Sequence, residues 1–168
     1  MKKHFSNPAF IIALAAFLFF SFIPQPARVD FSGEWKLNRG KSELGQFAEF
    51  SVHTIKTNQL TDNISIARTA PSFEGGDNTT NETLSFDGKE STSTVFGNST
   101  KKCSAKWSED GKALIMTYKL NLEFNGEVME ITGTETWTLE EDGKTFVSKN
   151  NSSSSFGDMS TRLVYEKQ

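Results

Sequence analysis

The chain is expected to be all-β, an antiparallel up-and-down meander of about nine to ten strands closing into a barrel. Three observations lead there. Beyond its first thirty or so residues the sequence shows no sustained 3.6-residue apolar period, only stretches of period-2 alternation. Those stretches are punctuated by Asp87-Gly88, Asp110-Gly111, Asn125-Gly126 and Asp142-Gly143, dipeptides that supply the positive φ of tight hairpin loops. Nothing helical is left over to cover a flat sheet, so a meander of this size removes its edges by closing on itself.

The first segment stands apart. Lys2 and Lys3 precede an apolar run from Ala9 to Ile23, followed by Pro24-Gln25-Pro26-Ala27. This is the layout of a secretory signal peptide over residues 1–27, either removed or retained as an N-terminal anchor, ahead of a single domain over 28–168. The run is shorter than the roughly 20 residues of a membrane-spanning helix. Membrane contact is expected only through this segment if it is retained, and the protein is expected to be periplasmic or secreted.

Strand one is expected from Phe31 to Asn38, around Trp35 and Leu37. Arg39 to Phe47 reads as a short loop or one helical turn. Phe50 to Thr57 and Asn63 to Thr69 form a hairpin across Asn58 to Asp62. Pro71 to Asn78, with Gly75-Gly76, reads as a mobile connection, as does the run Asn150 to Ser155. Glu82 to Phe86 is expected to pair with Lys89 to Phe96 through Asp87-Gly88, and Met159 to Glu166 closes the chain.

Two later hairpins carry a register test. A two-residue Asn125-Gly126 loop sets Leu122 against Met129, Leu120 against Ile131, Tyr118 against Gly133, Met116 against Glu135 and Leu114 against Trp137. All are apolar or small except Glu135, and all share one face, while Thr117, Lys119 and Glu123 face Thr132, Thr134 and Thr136 on the other. A two-residue Asp110-Gly111 loop independently sets Trp107 against Leu114, Ala105 against Met116 and Cys103 against Tyr118, with the same face of the shared strand inward. Gly133 leaves room for the Tyr118 ring. For Asp142-Gly143 two solutions stand: a two-residue loop turns Phe146 and Ser148 inward, a three-residue loop Thr145 and Val147.

Composition narrows function by exclusion. With 18 Lys+Arg against 21 Asp+Glu, the chain lacks the basic excess needed to grip nucleic acid. One cysteine rules out an intramolecular disulfide framework, and Cys103 reads as a small buried hydrophobe. His53 is the one histidine outside the leader, so no metal ligand set is expected. No Ser-His-Asp arrangement, nucleophile elbow or phosphate loop is present, so no catalytic residue and no cofactor is assigned. Glu82, Glu90 and the Glu140-Glu141-Asp142 run read as solvated charges.

Alternation places two charges inward: Arg68, in step with Ile64 and Ile66, and Glu135, between Ile131 and Trp137. Such charges are costly unless paired or wet. They are either a polar foothold for a ligand head group, Arg68 meeting an anion, or a structural ion pair. With them Trp107, Met116, Tyr118 and Trp137 are candidate cavity-lining residues, although a ligand wall and a plain core look alike at this level.

Phe31-Ser32-Gly33-Glu34-Trp35-Lys36-Leu37 resembles the Gly-x-Trp opening strand of the calycins, the lipocalins and fatty-acid-binding proteins. Thr161-Arg162-Leu163-Val164-Tyr165-Glu166-Lys167 resembles the last strand of fatty-acid-binding proteins, an Arg-x-Tyr pattern followed by Glu-Lys. Lys106-Trp107 ahead of an Asp-Gly turn also sits where those proteins carry such a strand. The resemblance implies a lipocalin-like barrel that binds a small apolar or amphipathic ligand without turnover. Two features depart from it. Arg39 to Phe47 is too short for a helix-turn-helix lid, and Arg162 and Tyr165, three apart, fall on opposite strand faces. The resemblance instead implies that Arg162 stacks on Trp35, beside Gly33, as a structural barrel closure. The alternative to a ligand-binding barrel is a packed-core barrel or sandwich acting through its surface on a protein partner in the cell envelope.

Overall fold

The computed structural model describes residues 26–72, 75–124, 126–140 and 142–168. Residues 1–25 of the expected leader, Phe73 and Glu74 of the Pro71 to Asn78 connection, Asn125 of the Asn-Gly turn and Glu141 lie outside them. Ten strands follow one another: β1 (Gly33–Leu37), β2 (Thr54–Gln59), β3 (Asn63–Pro71), β4 (Asp77–Ser85), β5 (Ser91–Phe96), β6 (Ser99–Trp107), β7 (Ala113–Phe124), β8 (Glu127–Leu139), β9 (Thr145–Ser154) and β10 (Gly157–Lys167). They form one antiparallel sheet in the order β4-β3-β2-β1-β10-β9-β8-β7-β6-β5. Pairing of the first strand with the last, Trp35 against Lys167 and Leu37 against Tyr165, rolls the meander into a barrel.

Both tested registers are found. Leu122 lies against Met129, Tyr118 against Gly133 and Leu114 against Trp137, and Trp107, Ala105 and Cys103 lie against Leu114, Met116 and Tyr118. The open case resolves to the two-residue loop, with Leu139 against Phe146 and Trp137 against Ser148. A Cβ on Gly133 would sit 2.6 Å from the Tyr118 hydroxyl and 2.8 Å from the Asn151 carbonyl oxygen, so only glycine lets the ring cross there.

Three expectations need correction. The turn at Asp87-Gly88 forms, with the Asp87 carboxylate accepting from Ser85 Oγ at 2.6 Å and Lys89 N at 3.0 Å, yet among the described residues no backbone ladder joins β4 to β5. Phe86 N donates to Asp62 O instead, and inside the barrel Lys101 of β6 reaches across to Glu82 of β4. The turn thus bends the chain without a ladder following it. A bond from Asn78 Nδ2 to Val95 O, 3.2 Å, crosses the interval. The run Asn150 to Ser154 is strand, not a loose connection: Ser154 pairs with both Ile131 and Gly157, and β9 is held on both sides whatever its composition. Asp77 and Asn78 likewise belong to β4, opposite Pro71 and Ala70.

The segment between β1 and β2 holds 3-10 turns at Arg39–Lys41 and Ala48–Phe50, and Glu43 pairs with Arg162 by backbone hydrogen bonds. The core fills the end of the barrel where β2 turns into β3 and β8 into β9. Phe31, Trp35, Leu114, Trp137 and Phe146 are fully buried there. Phe146 sits at its centre, with ring centroids 4.7 Å from Trp137, 5.2 Å from Tyr165 and 5.5 Å from Trp35. Each such ring removed from water stabilises the fold by about 1.5–3 kcal/mol.

Candidate functional site

Alternation along four strands brings four charges to one level inside the barrel, just above the aromatic core. Arg68 on β3 follows Ile64 and Ile66 on the inner face, and Glu135 on β8 lies two residues from Trp137. Glu82 on β4 lies two from Leu84, and Lys101 on β6 lies two from Cys103. The Arg68 guanidinium and the Glu135 carboxylate meet in a two-pronged contact, Nη1 to Oε1 and Nη2 to Oε2, both 3.0 Å. Arg68 Nε donates to Glu82 Oε1 at 3.2 Å. Lys101 Nζ donates to both Glu82 oxygens at 3.0 Å. Glu135 Oε1 also accepts from Trp137 Nε1 at 2.6 Å and Ser148 Oγ at 2.7 Å. The guanidinium rests 5.0 Å from the Trp137 ring centroid, and Lys101 Nζ lies 5.6 Å from that of Tyr118.

None of the four side chains is more than 13% exposed. Burial alone would neutralise Glu135, but Arg68 and Lys101 overcome it and hold the carboxyl at about 2. Burial likewise opposes the charge on Arg68, and Glu135 and Glu82 outweigh it, raising that group above its ordinary value. The pair is thus ionised on both sides. Burial pushes the Cys103 thiol up to about 11, which leaves it protonated and inert at neutral pH. Burial also raises the Tyr165 phenol, whose hydroxyl donates to Val52 O at 3.0 Å.

Above the ion network the barrel is not filled. A cavity of about 290 Å³ lies toward the end where β7 turns into β8 and β9 into β10. The network and Tyr118 form one wall, Val52, Val95, Leu120 and Leu163 supply apolar surface, and Thr80, Ser93, Asn150 and Thr161 supply hydroxyl and amide groups. Tyr118 Oη donates to Asn150 Oδ1 at 2.9 Å. A broader depression of about 960 Å³ lies on the outer face of β6–β10, among Lys102, Ser104, Thr117 and Thr132. It is an open trough lined mainly by exposed Ser, Thr and Lys side chains and holds no buried charge, so the interior cavity is the candidate site.

Of the residues read as cavity lining, the fold gathers Arg68, Met116, Tyr118, Glu135 and Trp137. Arg68, Tyr118 and Glu135 border the cavity. Met116 and Trp137 are fully buried beneath the guanidinium. Trp107 is not among them. It lies at the opposite, closed end, stacked 5.9 Å from Phe31 and edge-on 5.3 Å from Phe86, because its strand has descended past the aromatic core by that position. Arg162 does not stack on Trp35. It faces outward, donating to Lys41 O at 3.2 Å with Glu140 at 3.8 Å, and the cation over the Trp35 ring is Lys167 Nζ, 5.2 Å from the centroid. The register explains this: Lys167 is the residue paired with Trp35. It also accounts for Gly33, at φ 140°, where an added Cβ would approach Lys167 Cε to 3.0 Å. Trp35 is fully buried and donates to Phe31 O at 2.9 Å.

Two charged members of the site were misplaced or missed in sequence. Glu82, read as a solvated charge, points inward, and Lys101 was not singled out at all. Period 2 from Leu84 and from Cys103 is the signal that identifies both. Glu90 and Asp142 are surface groups, the first paired with Lys102 at 3.3 Å and the second capping its own turn through Lys144 N at 2.8 Å. Among the described residues no group of three or more His, Cys, Asp or Glu is placed to hold a metal ion.

No known protein-family model matches the sequence, and no curated protein matches it. Among solved structures the chain is similar to the zebrafish ileal bile acid-binding protein complexed with cholic acid, with TM-score 0.50 and 17% identity over 82% of this chain and 98% of that one. That protein is a calycin of the fatty-acid-binding-protein type. The likeness shows the fold: a calycin-like, nearly closed ten-stranded barrel.

Proposed function

We propose that this chain is an exported binding protein that holds one small amphipathic molecule in the cavity above its ion network, without turnover. The observation that carries the reading is the division of the barrel interior. One end is packed solid by aromatic side chains, while the other leaves about 290 Å³ bordered by apolar and hydrogen-bonding groups together. A concave site with a mainly apolar lining and a few convergent polar groups is what recognises a small ligand, and this volume suits a compact one. The protein it resembles in fold was solved with cholic acid, a molecule with both apolar and polar faces. Binding is favoured over catalysis because both buried carboxylates are committed to cations. Glu135 also accepts from Trp137 and Ser148 and makes a poor base. Export rests on the basic and apolar layout of residues 1–27.

Native mass spectrometry of protein purified from its own host, before and after organic extraction, tests the reading. A retained small-molecule mass that extraction removes is expected, and Leu120→Trp, which places an indole in the cavity, should abolish it while the fold persists by circular dichroism. Protein that carries no ligand and takes none up from a host lipid extract overturns the proposal. Surface action on a partner protein is the second reading. Its support is the exposure of Phe47, Val128 and Phe156, the last 85% exposed, on segments at the open end of the barrel.

A further inference from the structure

We propose that the cavity selects an uncharged, hydroxyl-bearing head group and rejects carboxylates, because the barrel neutralises its own interior cations. This rests on the reading of the cavity as a ligand site and specifies which chemistry it takes. A cavity built to capture an anion keeps a cation free to meet it. Here Arg68 spends its Nε and both Nη atoms on Glu82 and Glu135, and Lys101 spends two donors on Glu82. Two cations and two carboxylates sum to zero charge, and each is held against an opposite charge at 3.0–3.2 Å.

A carboxylate entering this cavity would shed its hydration and meet no net positive potential, with two fixed carboxylates in the wall beside it. An alkylammonium head would be no better placed, since the cations are equally near. A hydroxyl head incurs a much smaller desolvation cost and finds partners of both kinds. Arg68 and Lys101 each retain N–H groups beyond those their carboxylates occupy. Thr80, Ser93, Asn150 and Thr161 add side chains that both donate and accept. The apolar tail of such a molecule would lie against Val95, Leu120 and Leu163.

The test is isothermal titration calorimetry of the full chain with three probes sharing an eight-carbon tail: octane-1,2-diol, octanoate and octylammonium. For the wild type, the diol should bind at least about tenfold more tightly than either ion. Glu82→Gln leaves the network with one excess positive charge and should raise octanoate affinity at least about tenfold. Lys101→Met leaves one excess negative charge and should do the same for octylammonium. The double variant Glu82→Gln/Lys101→Met is neutral again and should recover the diol preference. Thermal melts accompany each variant; if Glu82→Gln does not fold, Lys101→Met and the double variant carry the test. Octanoate binding to the wild type as tightly as the diol overturns the selectivity while leaving a ligand cavity standing. Binding of none of the three probes to the wild type or any folded variant overturns the cavity reading itself.

Discussion

Glu135 shows how one residue's role is set by its neighbours. In sequence it interrupts an apolar face and reads either as ligand foothold or, by preference, as a structural ion. In the folded chain it receives two donors from Arg68 and one each from Trp137 and Ser148. Removing it would strand a buried guanidinium, so Glu135→Ala should destabilise the domain by about 3–5 kcal/mol, measured by urea denaturation. Replacing both members, Arg68→Met with Glu135→Leu, should recover part of that loss, since no buried charge is then stranded while Trp137 Nε1 and Ser148 Oγ still lose their acceptor. The pH dependence has a definite sign. The folded carboxyl sits at about 2 against an unfolded value of 4.5, so its contribution is fully present above about 4.5 and is lost as pH falls toward 2. The wild-type urea midpoint should fall through that window, and that of the double replacement should fall less. The candidate charges Arg68 and Glu135 were legible because their strands alternate cleanly. Glu82 and Lys101 were obscured because β4 and β6 are rich in Ser, Thr, Asn and Lys on both faces, and alternation of polar with polar carries no visible contrast.

At the scale of strands, the contrast between apolar and polar faces decided how much could be read. The β6-β7 and β7-β8 registers followed from loop length and face alone, because a slip of one residue would turn Leu114, Met116 and Tyr118 out to solvent. The β4-β5 turn shows the converse: its Asp-Gly pair and Asp87 cap are present, yet among the described residues no ladder follows. Turn chemistry bends the chain but does not supply the packing that keeps two strands together, and four of the six residues of β5 (STSTVF) are Ser or Thr. Amides of β4 that point away from β3, and of β5 that point away from β6, should therefore exchange with solvent at least about a hundredfold faster than amides in the centre of β7 and β8. Hydrogen exchange resolved by residue checks this, and uniform protection across β4 and β5 would show that the interval is closed in solution. The Ser- and Asn-rich end of β9 should be protected, since β8 and β10 hold it from both sides.

For the whole barrel, the decisive contact is the one between its ends. β1 and β10 pair across most of the chain, and through them β2, β3 and β4 join the remaining strands. Such non-local pairing makes the first part of the domain dependent on a strand more than a hundred residues further along the chain. Deleting residues 157–168 should leave β1 without its partner, expose Phe146 and Trp35, and abolish the cooperative thermal transition in near-ultraviolet circular dichroism. A truncated chain that still melts cooperatively would show that β1 to β4 dock by another route.

The sequence by itself determined the class of fold, the antiparallel run of the later strands and the inner and outer faces of β6 to β8. These are local properties, written in turn residues and period-2 contrast. Only the tertiary structure decided which cation lies over Trp35, that Trp107 belongs to the closed end, that no ladder joins β4 to β5 and that Arg68 is already neutralised. Each of these depends on how far a strand has travelled around the barrel when it meets a neighbour distant in sequence. Alternation tells whether a side chain points inward; it does not tell what waits there.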